Sequence, residues 1–154
     1  MNFRQKAIMF MATGFYSGTI GFAPGTFGSL TAIPICYLLS YVEGAALVVL
    51  IAAVILIAVP ITGKAEKILK KKDPGAIVLD EICGMMVTFA GIQFSLVTAV
   101  GGFVLFRFFD ILKPWPVSLA EKKFSGGTGI VIDDVVAGVM ANIVLRIGYF
   151  LMLK

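Results

Sequence analysis

The chain contains no histidine, which removes the usual neutral-pH base, the phosphohistidine nucleophile and the commonest transition-metal ligand. Any metal it holds must be a hard one bound through oxygen. Charge is scarce as well: 14% of the 154 residues are charged and 59% are hydrophobic, with a mean hydropathy of +1.00. Soluble domains carry about 25% charged and about 45–50% apolar residues. A soluble domain of this length buries only about 70% of its surface, and so few charges cannot coat the remainder. The composition therefore points to a bilayer. The two cysteines, Cys36 and Cys83, sit in apolar stretches without CxxC spacing and read as core or lipid-facing thiols. No soluble basic face is available, so a nucleic-acid partner is excluded.

What is present is long uncharged sequence. Three tracts run from Ala7 to Val42, Gly44 to Gly63 and Ile82 to Phe106, and a spanning helix needs about 20 mostly apolar residues. Gly18, Gly21, Pro24, Gly25 and Gly28 break the first tract. It divides into a short interfacial or partly inserted helix over 3–15 and a span over 28–42, followed by a turn at Glu43-Gly44 and a span from 44 to about 62. The polar segment Gly91 to Ser95 splits the third tract into helices over 77–92, slightly short for a span, and 96–112. A last helix runs over 130–152. The expected fold is an all-α polytopic membrane bundle, a single domain over 1–154 with four spanning helices and the short N-terminal helix.

Arg4, Lys6, Lys64, Lys67, Lys70, Lys71, Lys72, Lys113, Lys122 and Lys123 all fall on one side of this topology, against Glu43, the Gln93 turn and Lys154 on the other. The basic side is expected to be cytoplasmic. Arg4 and Lys6 precede an apolar run with no small-residue cleavage site, so the segment does not read as a signal peptide.

The nine acids are few enough for their positions to be informative. Glu66, Asp73 and Glu121 lie in or beside basic loops and read as solvated charges. Asp80, Glu81, Asp110, Asp133 and Asp134 instead lie inside apolar helix-forming sequence, at the cytoplasmic ends of three helices. Ionisable groups at such depth are paired, metal-bound or functional. Arg107 and Lys113 cannot neutralise five acids, and a bound divalent cation is the simplest source of the missing charge. Ile77 to Cys83 and Ile130 to Val136 repeat one pattern at an offset of 53 residues, each followed by a glycine, Gly84 or Gly138. Two similar helices packed through those glycines would offer carboxylates to a shared Mg²⁺.

Arg107, Asp110 and Lys113 follow at i, i+3, i+6 on broadly one helix face. A guanidinium and an ammonium beside a carboxylate-bound metal make a phosphate site. Pro114-Trp115-Pro116 ends that helix and places Trp115 at the interface as an anchor. Two glycine-rich pieces, Gly21 to Ser29 with Thr26 and Ser125 to Gly129 with Gly127, precede helices and would leave backbone N–H groups for an anion. Neither has the GK[ST] ending of a Walker loop. Each also reads as a tight turn.

Together GFAPGTFGSL (Gly21 to Leu30), DPGAIVLDEICG (Asp73 to Gly84), FRFFDILKPWP (Phe106 to Pro116) and GGTGIVIDDVVAG (Gly126 to Gly138) resemble bacterial phosphatidylglycerophosphatase A. The resemblance implies a Mg²⁺-dependent enzyme of the bacterial inner (cytoplasmic) membrane, its site facing the cytoplasm. It would remove the terminal phosphate of its phospholipid substrate phosphatidylglycerophosphate to leave phosphatidylglycerol. It also implies metal-site roles for Asp80, Glu81, Asp133 and Asp134, and phosphate-site roles for Arg107, Asp110 and Lys113.

The missing residues narrow the chemistry alongside it: no histidine, no DxDxT, no DGxxAR, and no arginine six residues after either cysteine. Metal-assisted hydrolysis remains, with Asp110 as the expected proton acceptor and an aspartyl-phosphate route as the rival. The other functional class is a small transporter or ion-coupled subunit using intramembrane carboxylates, and a small membrane-assembly protein is a third. A homo-oligomer is left open.

Overall fold

Asn2 opens the chain with a capping box: its side chain accepts from the Gln5 backbone N–H while the Gln5 side chain accepts from the Asn2 N–H. The helix it starts, α1 (Phe3–Ala12), is the first of seven α-helices in the computed structural model, which describes residues 1–152 and shows no strand among them. The others are α2 (Pro24–Leu39), α3 (Gly44–Leu69), α4 (Leu79–Thr88), α5 (Leu96–Leu112), α6 (Val117–Lys123) and α7 (Gly126–Met152). Lys154 lies outside the described residues.

Several boundaries differ from the sequence expectation for identifiable reasons. α1 stops at Ala12 rather than 15 because Gly14, Phe15 and Tyr16 take positive φ. α2 begins at Pro24 rather than 28, since proline at the first helical position carries the helical φ already. The glycines of 126–129 form the first turn of α7 rather than a flexible turn before it. They pack closely: a Cβ on Gly127 would meet the Val59 carbonyl and the Gly63 backbone, and Thr62 Oγ1 donates to the Gly127 carbonyl at 3.3 Å. α3 runs to Leu69, and α6 folds back after Pro116 where no helix was expected.

The largest change concerns α4, which has ten residues in place of sixteen and is about 15 Å long. Most of its side chains are buried, and it sits among α2, α3, α5 and α7. Its last carbonyls are met by α7: Asn142 Nδ2 donates to Thr88 O at 2.8 Å and Ala90 O at 3.1 Å, and Arg146 Nη2 to Ala90 O at 2.7 Å. A helix can end at such depth only when its free carbonyls find partners of this kind. α4 and α7 run parallel through a glycine seam, where a Cβ on Gly138 would strike the Gly84 carbonyl and one on Gly84 would lie 2.7 Å from the Asp134 carbonyl.

Among the described residues α3 is the one helix long and apolar enough to cross a bilayer. Its most apolar stretch is only 17% buried inside the protein, which excludes the core helix of a soluble domain. Val48, Val49, Leu56 and Ile57 all face outward from it. α2 is also apolar but shorter.

Candidate active site

The seam fixes the site. Asp80 and Glu81 occupy the first turn of α4, and Asp134 sits two turns into α7, so the parallel register that matches Gly84 with Gly138 also brings Asp134 beside Asp80. Carboxylate oxygens of Asp80, Glu81 and Asp134 lie within 4.8 Å of one another. Asp80 is 8% exposed and Asp134 4%. Three ionised carboxylates so placed repel by roughly 3 kcal/mol or more per pair at an effective dielectric of about 20. Asp80 Oδ1, Glu81 Oε2 and Asp134 Oδ2 are all buried without a hydrogen-bond partner. Buried polar atoms are almost always satisfied, and three carboxylates this close, each with an unpartnered buried oxygen, could hold a cation. The donor set is all oxygen, which suits a hard divalent ion.

Two cation clusters border this triad. Arg107 Nη1 hydrogen-bonds Asp110 and lies 4.0 Å from Glu81 Oε1, while Arg107 Nε is a buried donor without a partner. Lys113, past the end of α5, donates to Asp133 Oδ2 at 2.7 Å and to Glu121 Oε1 at 2.9 Å. Burial works against the Lys113 charge, but these two carboxylates outweigh it and hold the ammonium above the ordinary lysine range. A cavity of about 320 Å³ joins both clusters, walled by Asp80, Glu81, Arg107, Asp110, Lys113, Asp133 and Asp134.

The five apolar-segment acids and both cations named from the sequence thus share one cavity. The structure separates their surroundings, however: Asp133 is not in the close triad, since Lys113 takes its Oδ2 and its Oδ1 is unpartnered. Thr26 and Gly127 are not brought to the cavity wall. Thr26 stands half-buried in the first turn of α2, next to the residue that does reach it, and Gly127 is committed to α3.

Sequence reasoning missed Gly25, Asp73 and Glu121. Asp73 lines the cavity together with Pro24 and Gly25, and its place at the head of the Asp73 to Gly84 motif was a usable signal. Glu121 had none, because it reaches Lys113 only through the fold-back of α6. Gly25 is a close-approach glycine: a Cβ there would lie 2.5 Å from Glu81 Oε1 and 3.0 Å from Arg107 Nη1. Gly25→Ala is therefore expected to displace Glu81 and Arg107, lowering turnover at least about tenfold while costing only about 1–3 kcal/mol of stability. Comparing turnover with thermal unfolding of the same preparation checks this, and unchanged turnover would contradict the assigned contact.

Comparison with known proteins identifies the family. The family profile described as Phosphatidylglycerophosphatase A matches residues 10–149. The chain is 39% identical over 143 residues to the Phosphatidylglycerophosphatase A of Escherichia coli (strain K12), an alignment covering 90% of this chain and 82% of that protein. It is 38% identical over 140 residues to the Phosphatidylglycerophosphatase A of Haemophilus influenzae, covering 90% and 86%. No solved structure matches it. With a family profile spanning nearly its whole length and close agreement with two curated relatives, the chain belongs to the phosphatidylglycerophosphatase A family.

Proposed function

We propose that this chain is a membrane-embedded, Mg²⁺-dependent phosphatase that hydrolyses the terminal phosphomonoester of phosphatidylglycerophosphate. The observation that carries the reading is the buried triad of orphaned carboxylate oxygens with Arg107 and Lys113 on the same cavity wall. Family membership supplies the substrate class.

Asp80, Glu81 and Asp134 would hold the metal. When bound, it supplies charge for the phosphoryl oxygens and acidifies a coordinated water. The unpartnered Nε of Arg107 donates to the phosphoryl group, and Asp110 fixes the guanidinium from its far side. Asp110, on the cavity wall beside Arg107, is the group assigned as acceptor of the water proton. Lys113, anchored between Asp133 and Glu121, presents its charge to the equatorial oxygens. These roles stabilise the charge of a loose phosphoryl-transfer transition state, where positioning and electrostatics supply most of the acceleration.

The single domain sits in the bacterial cytoplasmic membrane with α2, α3, α5 and α7 as its four spans. Their 16, 26, 17 and 27 residues give about 24, 39, 26 and 40 Å against a hydrocarbon core of about 30 Å. All four carry exposed apolar residues, including Leu38, Leu56, Val100 and Ile147. The site faces the cytoplasm because Lys64, Lys67 and Lys70 to Lys72 lie at the same end as α4's acids. The test is release of inorganic phosphate from phosphatidylglycerophosphate by purified protein in mixed micelles. Rapid release with Mg²⁺ and none with excess EDTA is the expected result, and activity that survives EDTA would overturn the metal-site reading.

A further inference from the structure

We infer that the lipid substrate enters the site through the seam between the first turn of α2 and the last turns of α5, its acyl chain lying along the outer face of α5 over Val104, Phe108 and Ile111. This rests on the reading above that the substrate is a lipid phosphomonoester, and it adds the route and the side chains that recognise the tail.

α2 and α5 meet across the cavity at Gly25 and Arg107, where even a methyl group on Gly25 would come within 3.0 Å of the guanidinium. Pro24 and Ile111 continue the cavity wall on that side. Ile111 lines the cavity and is nevertheless 66% exposed, so the seam is open at that point. Phe108 and Val104 stand exposed one and two helical turns back along α5 from Ile111, so that the three follow the i, i+4, i+7 spacing that makes one continuous stripe. Phe22, two residues before the cavity-lining Pro24, is exposed as well.

Other outward apolar faces do not meet these conditions. No described residue of α3 lines the cavity, and the residues of α7 that line it are Ile130, Asp133 and Asp134, well before its exposed Val139 and Ile143. The far side of the cavity shares Asp73 and Asp133 with a smaller recess of about 90 Å³ that leads to Glu66, Lys72 and Glu121. One opening is therefore apolar and the other charged. A substrate with a polyanionic head and a hydrocarbon tail matches that division, head inward past Arg107 and tail outward along the stripe.

Phe108→Asp places a charge on the stripe without touching the cavity wall. It is expected to lower kcat/KM for a long-chain phosphatidylglycerophosphate about tenfold or more, with hydrolysis of the deacylated headgroup, which has no tail, unchanged. Leu56→Asp, on the exposed face of α3, should affect neither substrate selectively. Equal loss on both substrates, or no loss on the long-chain one, overturns the proposal. A long-chain substrate with a photoreactive acyl group provides a second measurement that needs no variant: label should concentrate on α5 between Val104 and Ile111, and labelling spread equally over α3 and α7 overturns the seam. Wild-type protein that releases no phosphate from the long-chain lipid would instead overturn the phosphatase reading itself.

Discussion

Asp134→Asn is expected to reduce phosphate release roughly 10³-fold or more while leaving the helical bundle folded, since loss of a group acting on developing charge costs on this order. The substitution keeps the side-chain volume, and the backbone is held independently, because Gly84 of α4 packs against the Asp134 carbonyl. What changes is one of three carboxylates whose oxygens lie within 4.8 Å of one another. An amide carbonyl is a weaker ligand for a hard cation and carries no charge. The loss should appear in kcat, since Arg107 and Lys113 remain to bind the phosphoryl group. Asp133→Asn is the informative comparison. Asp133 stands outside the triad and holds Lys113, so its loss should raise KM more than it lowers kcat. Steady-state kinetics on both variants with matched circular dichroism decide the matter, and an Asp134→Asn enzyme keeping more than a tenth of wild-type kcat would remove Asp134 from the metal site.

How far this site could be read from the sequence depended on which physical signal each residue carried. α5 was legible to the residue: Ser95 and Thr98 make a reciprocal cap at its start, and polar Gln93 marks the break before it. The convergence of Asp80, Glu81, Asp110, Asp133 and Asp134 was legible because charge in apolar sequence is costly and its depth follows from topology. The glycines were not. Gly25, Gly127 and Gly129 read as turns by propensity, but each lies within a helix, where tight packing offsets the conformational cost. α4 was overestimated for a related reason: its end is set by Asn142 and Arg146, more than fifty residues away in the chain. The separation of Asp133 from the triad rests on Lys113 and Glu121, a contact made only when α6 folds back.

The same triad predicts an inverted order of stability with and without divalent ion. In metal-free protein, Asp80, Glu81 and Asp134 confront one another with orphaned buried oxygens, and among the described residues the 4.0 Å Glu81–Arg107 pair is the one salt bridge to the triad, an arrangement that opposes folding. Replacing one charge by a neutral amide relieves part of that repulsion, so Asp134→Asn should melt at a higher temperature than wild type in EDTA. Added Mg²⁺ binds the folded wild-type site and stabilises it by about 2.7 kcal/mol at a hundredfold excess over Kd, roughly 5–10 °C for a chain of this size. Asp134→Asn should gain far less, so the two melting curves cross as Mg²⁺ is raised. Gly25→Ala keeps all three carboxylates but crowds Glu81 and Arg107, so it should retain a weakened response to Mg²⁺ where Asp134→Asn loses most of it. Thermal unfolding in detergent across a Mg²⁺ series measures all of this without any turnover assay. Were Asp134→Asn less stable than wild type already in EDTA, the triad would be a satisfied structural cluster, and the case for a cation there would fail on energetic grounds.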